Sequence, residues 1–163
     1  MKILLLSDTH GYLDEPVLKH VSEADQVWHA GDFGSLEVSN KLSSLKPLKG
    51  VYGNIDGQDI RKILPLHNRF SCEGFNILIT HIGGYPGKYD PKIREIIQKN
   101  PPDIFICGHS HILKIIKDNN FNLLFINPGA AGKEGFHKVR TLVKFTLKNK
   151  QVSDMQVIEL GGR

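Results

Sequence analysis

Seven side chains able to ligate a metal recur along the first two thirds of the chain: Asp8 with His10, Asp32, Asn54, His81, and His109 with His111. Each follows directly on a short apolar run. Asp8 and His10 stand two residues apart, as do His109 and His111, so in an extended or turning backbone both side chains of a pair can aim at one point. Successive steps through Asp8, Asp32, Asn54, His81 and His109 are 24, 22, 27 and 28 residues. Each step is close to one strand plus one crossover or hairpin, roughly the thirty residues of a βαβ unit, so all of these residues can return to the same edge of a sheet. Neutral imidazoles, carboxylates and one amide, with no thiolate among them, suit borderline divalent ions such as manganese, iron, zinc, nickel or cobalt. Taken singly, Gly31, Gly53 and Gly108 read as the glycines that any α/β protein uses to turn. Turning alone does not explain ligand-type residues at five successive strand ends.

The elements that must position these residues are legible as apolar runs and helix signals. Ile3 to Leu6 is a near-continuous apolar run, as expected of a strand buried on both faces, and ligands in open α/β folds gather beyond the carboxyl ends of such strands. Asp14-Glu15-Pro16 reads as a helix start, with Val17, Leu18, Val21 and Ala24 as the apolar stripe. Gln26 to Ala30 is a second strand ended by Gly31-Asp32. Ser35 to Leu45 is a second helix with Leu36, Leu42 and Leu45 facing inward. Leu48 to Tyr52 is a third strand, ended by Gly53-Asn54-Ile55-Asp56-Gly57. A short helical turn is predicted around Asp59 to Leu64, then strands at Arg69 to Cys72 and Phe75 to Thr80 joined as a hairpin at Glu73-Gly74. Ile82 to Gly87 reads as a flexible loop. Asp90 and Pro91 open a helix that buries Ile93, Ile96 and Ile97, and Asp103 to Cys107 is a strand leading into Gly108-His109-Ser110-His111. From Ile112 onward only strands are expected, at Ile112 to Lys117, Asn122 to Ile126, Val139 to Leu147 and Val152 to Leu160, as a meander or hairpin series. No linker or change of composition divides the chain. Residues 1–163 are therefore expected to form a single domain of two packed sheets with helices outside.

The chain has 163 residues, enough for a sizeable core without staples, and its two cysteines, Cys72 and Cys107, lack the spacing of a zinc site. No stretch reads as a signal peptide or a membrane span, so a cytoplasmic protein with no membrane association is expected. The formal charge is +4. Its lysines are scattered over element ends rather than clustered among aromatics, so a dedicated nucleic-acid surface is not expected. His20, His67 and His137 lack a strand-end context and read as surface or structural residues. His29 lies within the second strand and reads as a core residue or a support to the site.

The motifs Asp8-Thr9-His10, Gly31-Asp32, Gly53-Asn54-Ile55-Asp56, Thr80-His81 and Gly108-His109-Ser110-His111 resemble, in order and spacing, those of the calcineurin-like metallophosphoesterases. The short chain and its Asn127-Pro128-Gly129 turn make it most similar to the small prokaryotic phosphodiesterase branch, to which the eukaryotic retromer subunit Vps29 is also related. The resemblance implies an α/β fold of two packed mixed β-sheets flanked by helices, a four-layer α/β/β/α arrangement. It implies two divalent ions, manganese first among them. Asp8, His10 and His111 would hold one, Asn54, His81 and His109 the other, and Asp32 would bridge. It further implies hydrolysis of a phosphate ester, most simply a diester, by attack of a hydroxide held between the ions, with Asn54, Asp56, His81 and His109 as the catalytic residues. Many relatives carry histidine after the Gly-Asn pair, set to protonate the leaving oxygen. Ile55 stands there in this chain and has no proton to give, which leaves Asp56, Tyr12 or Tyr85 as alternatives and predicts faster turnover of esters with acidic leaving groups. The competing expectation is a non-catalytic, Vps29-like protein-interaction scaffold. A homo-oligomer is left open.

Overall fold

The structure, a computed structural model, describes residues 1–163. Strand β1 (Lys2–Leu6) is followed by helix α1 (Glu15–Glu23), β2 (Gln26–His29), α2 (Leu36–Leu45), β3 (Leu48–Gly50) and α3 (Gln58–Ile63). Asp14 caps α1 by accepting the Val17 N–H at 3.3 Å, and Pro16 sits in the first turn, where its missing N–H costs nothing. The inward face of α2 is Val38, Ser39 and Leu42, whereas Leu45, expected inside, is 44% exposed because the last turn overruns the edge of the core.

Strands β4 (His67–Cys72) and β5 (Phe75–Thr80) pair antiparallel about Glu73 and Gly74, whose φ of 49° and 84° are those of a tight primed hairpin turn. The glycine-rich stretch beyond His81 is not an irregular loop. It closes on itself as a small hairpin of β6 (Gly84–Tyr85) and β7 (Lys88–Tyr89). Helix α4 (Pro91–Lys99) follows, its cap Asp90 accepting from the N–H of Lys92 and Ile93, and then β8 (Ile104–Ile106), β9 (Lys114–Asp118), β10 (Leu123–Asn127), β11 (Val139–Lys148) and β12 (Gln151–Gly162).

The strands form two mixed sheets, ordered β12-β11-β1-β2-β3 and β4-β5-β8-β10-β9. The C-terminal strands form two hairpins, β9–β10 and β11–β12, as the hairpin reading expects, and not one meander, because each hairpin joins a different sheet. Strands β9 and β10 complete the second sheet, while β11 returns to pair antiparallel with β1 and brings β12 with it. Ile3, Leu5, Trp28, Val143 and Phe145 of the first sheet pack against Ile77, Ile79, Ile104, Ile106 and Ile126 of the second. On the outer faces Leu4 and Leu6 meet Val17, Val21 and Leu42, and Leu78, Phe105 and Phe125 meet Ile93 and Ile97. The layers thus run helix, sheet, sheet, helix, and burial of β1 on both faces explains its unalternating apolar run. Strands β1, β2 and β3 run parallel in one sheet, as do β5, β8 and β10 in the other. No helix is long and apolar enough to cross a membrane.

Candidate metal centre

The loops that leave the strands continue to hydrogen-bond beyond them. The N–H groups of Asp8, His10 and Gly11 donate to the carbonyls of Gly31, Asp32 and Phe33 at 3.0, 3.1 and 2.7 Å, and Gly108 N–H donates to His81 O at 3.0 Å. These ladders bring six of the seven residues into two triads, Asp8–His10–His111 and Asp32–His81–His109, in each of which the donor atoms lie within 4.8 Å of one another. Asp32 Oδ2 lies between them, 3.2 Å from His81 Nε2 and 3.8 Å from His10 Nε2. Asp8 Oδ1 is 3.1 Å from His111 Nε2, 3.9 Å from His10 Nε2 and 4.0 Å from His81 Nε2. Asn54, the seventh, is brought in from the loop after β3, with Oδ1 at 3.0 Å from His81 Nε2.

Convergence forces the backbone. Asp8, His10, Asp32, His109 and His111 all adopt positive φ, between 48° and 66°, a region that disfavours side chains by about 1–3 kcal/mol each and persists only where the surroundings hold it. Two glycines expected to serve turning serve close approach instead: neither Gly53 nor Gly108 has positive φ. A Cβ on Gly53 would lie 2.0 Å from Asp32 Oδ1, and one on Gly108 would lie 2.0 Å from Ser7 Oγ and 2.8 Å from Asp8 Oδ2. Gly31, with φ of 96°, does supply the turn.

The electrostatics call for a cation. Asp8 Oδ1 and His10 Nε2 are buried without a hydrogen-bond partner, a state that costs about 1–3 kcal/mol per group unless something binds there. The other oxygens are committed: Asp8 Oδ2 accepts the His109 N–H at 3.2 Å, and Asp32 Oδ1 accepts the Ile55 N–H at 3.1 Å. His81 donates Nδ1–H to Ala30 O at 2.7 Å, so in the neutral ring Nε2 presents its lone pair to the oxygens of Asp32 and Asn54. A lone pair facing two acceptors needs a proton or a metal between them. Burial works against a charged His81, but its hydrogen bond to Asp32 and the charges of Asp8 and Asp32 outweigh that and raise its pKa. Burial likewise works against a charged Asp32, yet its bond to His81 and the His81 charge hold its carboxyl below the usual range. Without metal, a proton on His81 stands where a cation would.

The family model of the calcineurin-like phosphoesterase superfamily domain matches residues 1–150. The chain belongs to this superfamily. A probable metallophosphoesterase of Methanothermobacter thermautotrophicus is 27% identical over 137 residues, covering 80% of this chain and 77% of the relative. Among solved structures, an archaeal phosphodiesterase superposes with a TM-score of 0.75 at 25% identity, covering 98% of this chain and 100% of its own. A Vps29 single mutant from Entamoeba histolytica superposes with a TM-score of 0.76 at 18% identity, covering 99% and 100%, a likeness of fold. Membership of this phosphoesterase family implies divalent metals and phosphate-ester substrates, and the donor set and its orphaned atoms fit such metals.

Around the phosphoesterase centre, Asp56 is not brought into the cluster. It is buried, and its two oxygens accept the N–H groups of Gly34 and Gly53 at 2.9 and 2.7 Å. Tyr12 lies between Lys133 and Arg140, each about 4.5–4.7 Å from its ring centroid. Ile55 is 48% exposed. His29 supports the site from the core. It accepts the Gly31 N–H at Nδ1, at 3.1 Å, donates Nε2–H to Thr9 Oγ1 at 3.0 Å, and burial pushes its pKa down to about 3. A cavity of about 360 Å³ opens beside Asn54 and His81, lined also by Tyr52, Arg61, His67 and Lys92. Another of about 690 Å³ opens beside His109, lined by Ile82, Tyr85, Lys88 and Ser110. His137, read from sequence as peripheral, is half-buried and stands 3.3 Å from His111. No strand-end pattern marks it, because it arrives on the loop between β10 and β11.

Proposed function

We infer that the protein is a metal-dependent phosphodiesterase that hydrolyses a P–O ester bond, with residues 1–163 acting as one domain. The observation that carries this reading is the pair of bare buried atoms, Asp8 Oδ1 and His10 Nε2, among two triads of carboxylate and imidazole donors. Asp8, His10 and His111 would hold one divalent ion, Asn54, His81 and His109 a second, and Asp32, whose Oδ2 lies between the triads, would serve both. Bound there, such a pair supplies a water of lowered pKa and positive charge for the phosphoryl oxygens. Manganese is the first ion to try, and iron, nickel, zinc and cobalt suit the same donors.

The remaining work falls to the chain. Asn54 is exposed, turns Oδ1 inward and keeps its amide N–H free to donate to a phosphoryl oxygen. In the metal-free protein burial, and after it the charge of His81, hold the His109 pKa below its ordinary value, which favours the neutral ring a metal ligand must offer. Neither residue that follows Asn54 protonates the leaving oxygen: Ile55 has no proton, and Asp56 is held by two backbone N–H groups in the role of a loop clamp. That leaves only the weakly acidic phenols of Tyr12 and Tyr85, the latter in the cavity beside His109, so the rate follows the acidity of the leaving group. Two adjoining cavities, which share Ile82 and Asp90, border the Asn54–His81–His109 half of the centre and give room for the substituents of a diester, and the likeness to the archaeal phosphodiesterase at 25% identity supports a diester in preference to a monoester. Cys72 and Cys107 are free and buried, consistent with the cytoplasm, to which we assign the protein.

The test is hydrolysis of bis(p-nitrophenyl) phosphate and p-nitrophenyl phosphate by metal-stripped protein, with each divalent ion added back and Asp32→Asn as the control. Metal-dependent turnover of the diester, lost in the variant and much faster than that of a dialkyl phosphate, supports the reading. No turnover with any ion favours the Vps29-like scaffold.

A further inference from the structure

One imidazole outside the two triads touches a member of them. His137 Nε2 lies 3.0 Å from Gly132 O, and His137 Nδ1 lies 3.3 Å from His111 Nδ1, with the two rings edge to face at 70°. A carbonyl oxygen only accepts, so the proton of neutral His137 resides on Nε2 and its Nδ1 carries a lone pair. The proton between the two Nδ1 atoms therefore belongs to His111. His111 Nε2 is left bare, facing the unpartnered Asp8 Oδ1 at 3.1 Å.

We propose that His137 is a positioning residue, which through the Gly132 carbonyl locks His111 in its Nδ1–H tautomer and so readies the Asp8–His10–His111 half of the centre for a divalent ion. The inference rests on the reading above that the triads hold such ions. In the other tautomer the His111 Nε2–H would occupy the space beside Asp8 Oδ1, 3.1 Å away, and take the lone pair a cation needs. The relay removes that competing state. It depends on proton location within neutral rings and not on their ionisation.

The loop that carries His137 is built for this contact. Its Gly132 N–H donates to Asp8 O at 3.0 Å, and the preceding Ala131 N–H donates to Ser7 O at 2.9 Å, so the loop is tied to the segment that presents Asp8. Gly135 has φ of 119°, and a Cβ there would lie 2.1 Å from His111 Nδ1 and 3.3 Å from His137 Nδ1. Arg140 holds the return of the loop, donating from Nε to Ala131 O at 2.7 Å and pairing with Asp14 at 2.8 Å. The acceptor of the His111 proton is thus fixed relative to the strand end that the metal ligands occupy.

Two readouts test the role on wild type, His137→Ala, His137→Asn and His137→Gln. The first is ¹⁵N–¹H correlation of the imidazoles in metal-free protein at a pH where they are neutral. His111 is expected as the Nδ1–H tautomer in wild type and in His137→Asn, whose Oδ1 can replace the Nδ1 acceptor, and as the Nε2–H tautomer in His137→Ala and His137→Gln. The second is calorimetric titration with Mn²⁺ alone. Wild type is expected to bind two ions, and His137→Ala to bind one of them about 10–100-fold more weakly with the other unchanged. His137→Asn should recover most of the loss. A His137→Ala protein that keeps the Nδ1–H tautomer, or binds both ions as wild type does, overturns the inference. A wild type that binds no divalent ion overturns the functional reading beneath it, so the two failures are distinguishable.

Discussion

Gly53→Ala separates a glycine kept for turning from one kept for proximity. Gly53 does not have positive φ, so alanine fits its backbone, and at a mere turn the change would stabilise by about 0.4–1 kcal/mol through the unfolded chain. Here the new Cβ would lie 2.0 Å from Asp32 Oδ1 and 2.4 Å from Asp32 N, against the 3.4 Å at which ordinary contact begins. The carboxylate must retreat by more than ~1 Å, and the backbone N has no rotamer by which to escape, since the flanking Gly31 and Asp32 carbonyls are held by the N–H groups of Asp8 and His10. Overpacking of this kind costs about 1–3 kcal/mol, and the Ile55 N–H bond to Asp32 Oδ1, worth roughly 1 kcal/mol, is strained with it. A net loss of about 1–3 kcal/mol lowers Tm by roughly 2–12 °C for a chain of this size. Misplacing Asp32 by ~1 Å lowers turnover on the order of 100-fold. The assay pairs thermal unfolding of metal-free protein with diester turnover at saturating metal. Gly57→Ser is the control, since a Cβ there meets nothing within 4 Å. A Gly53→Ala protein that melts higher than wild type, or turns over at the wild-type rate, refutes the close-approach argument.

Two further outcomes follow from the same geometry. Burial depresses the folded-state pKa of His29 from 6.5 to about 3, so the unfolded chain takes up a proton the folded one does not. The resulting stability is full above the unfolded value and is lost as pH falls toward the folded one, amounting to about 2 kcal/mol between pH 7.5 and 5. Denaturant unfolding of metal-free wild type and His29→Asn should differ in slope over this window, and equal slopes contradict it. His109 holds φ of 66°, so His109→Gly relieves strain of about 1–3 kcal/mol at an entropic cost of about 0.4–1. The metal-free variant should melt up to roughly 10 °C above wild type while losing one bound ion, and a lower melting temperature counts against strain at this site.

Much of this was legible because a strand buried on both faces is written as an apolar run, and the residue after it has few places to point. That is how Asp8, Asp32, His81 and His109 could be located from spacing alone. Long-range pairing carries no such local mark. Nothing in Val139 to Leu147 announces that β11 docks beside β1, with Lys2 opposite Thr146, so the C-terminal hairpins were legible while the sheet each of them joins was not. The glycines misled for a related reason. Gly53 and Gly108 answer to side chains that are neighbours only in the folded chain. Asp56 looks like a proton donor beside Ile55 until the N–H groups of Gly34 and Gly53 are seen to occupy both its oxygens. His137 needed the β10–β11 loop to be laid across β1 before its contact with His111 existed at all.

Whether the two triads, with Asp32 between them, hold a pair of divalent ions is read by anomalous diffraction from crystals grown with Mn²⁺. Two peaks about 3.5–4 Å apart are expected, one among Asp8, His10 and His111, the other among Asn54, His81 and His109, both within coordination distance of the Asp32 carboxylate. A single peak, or peaks away from Asp32, would contradict the paired site.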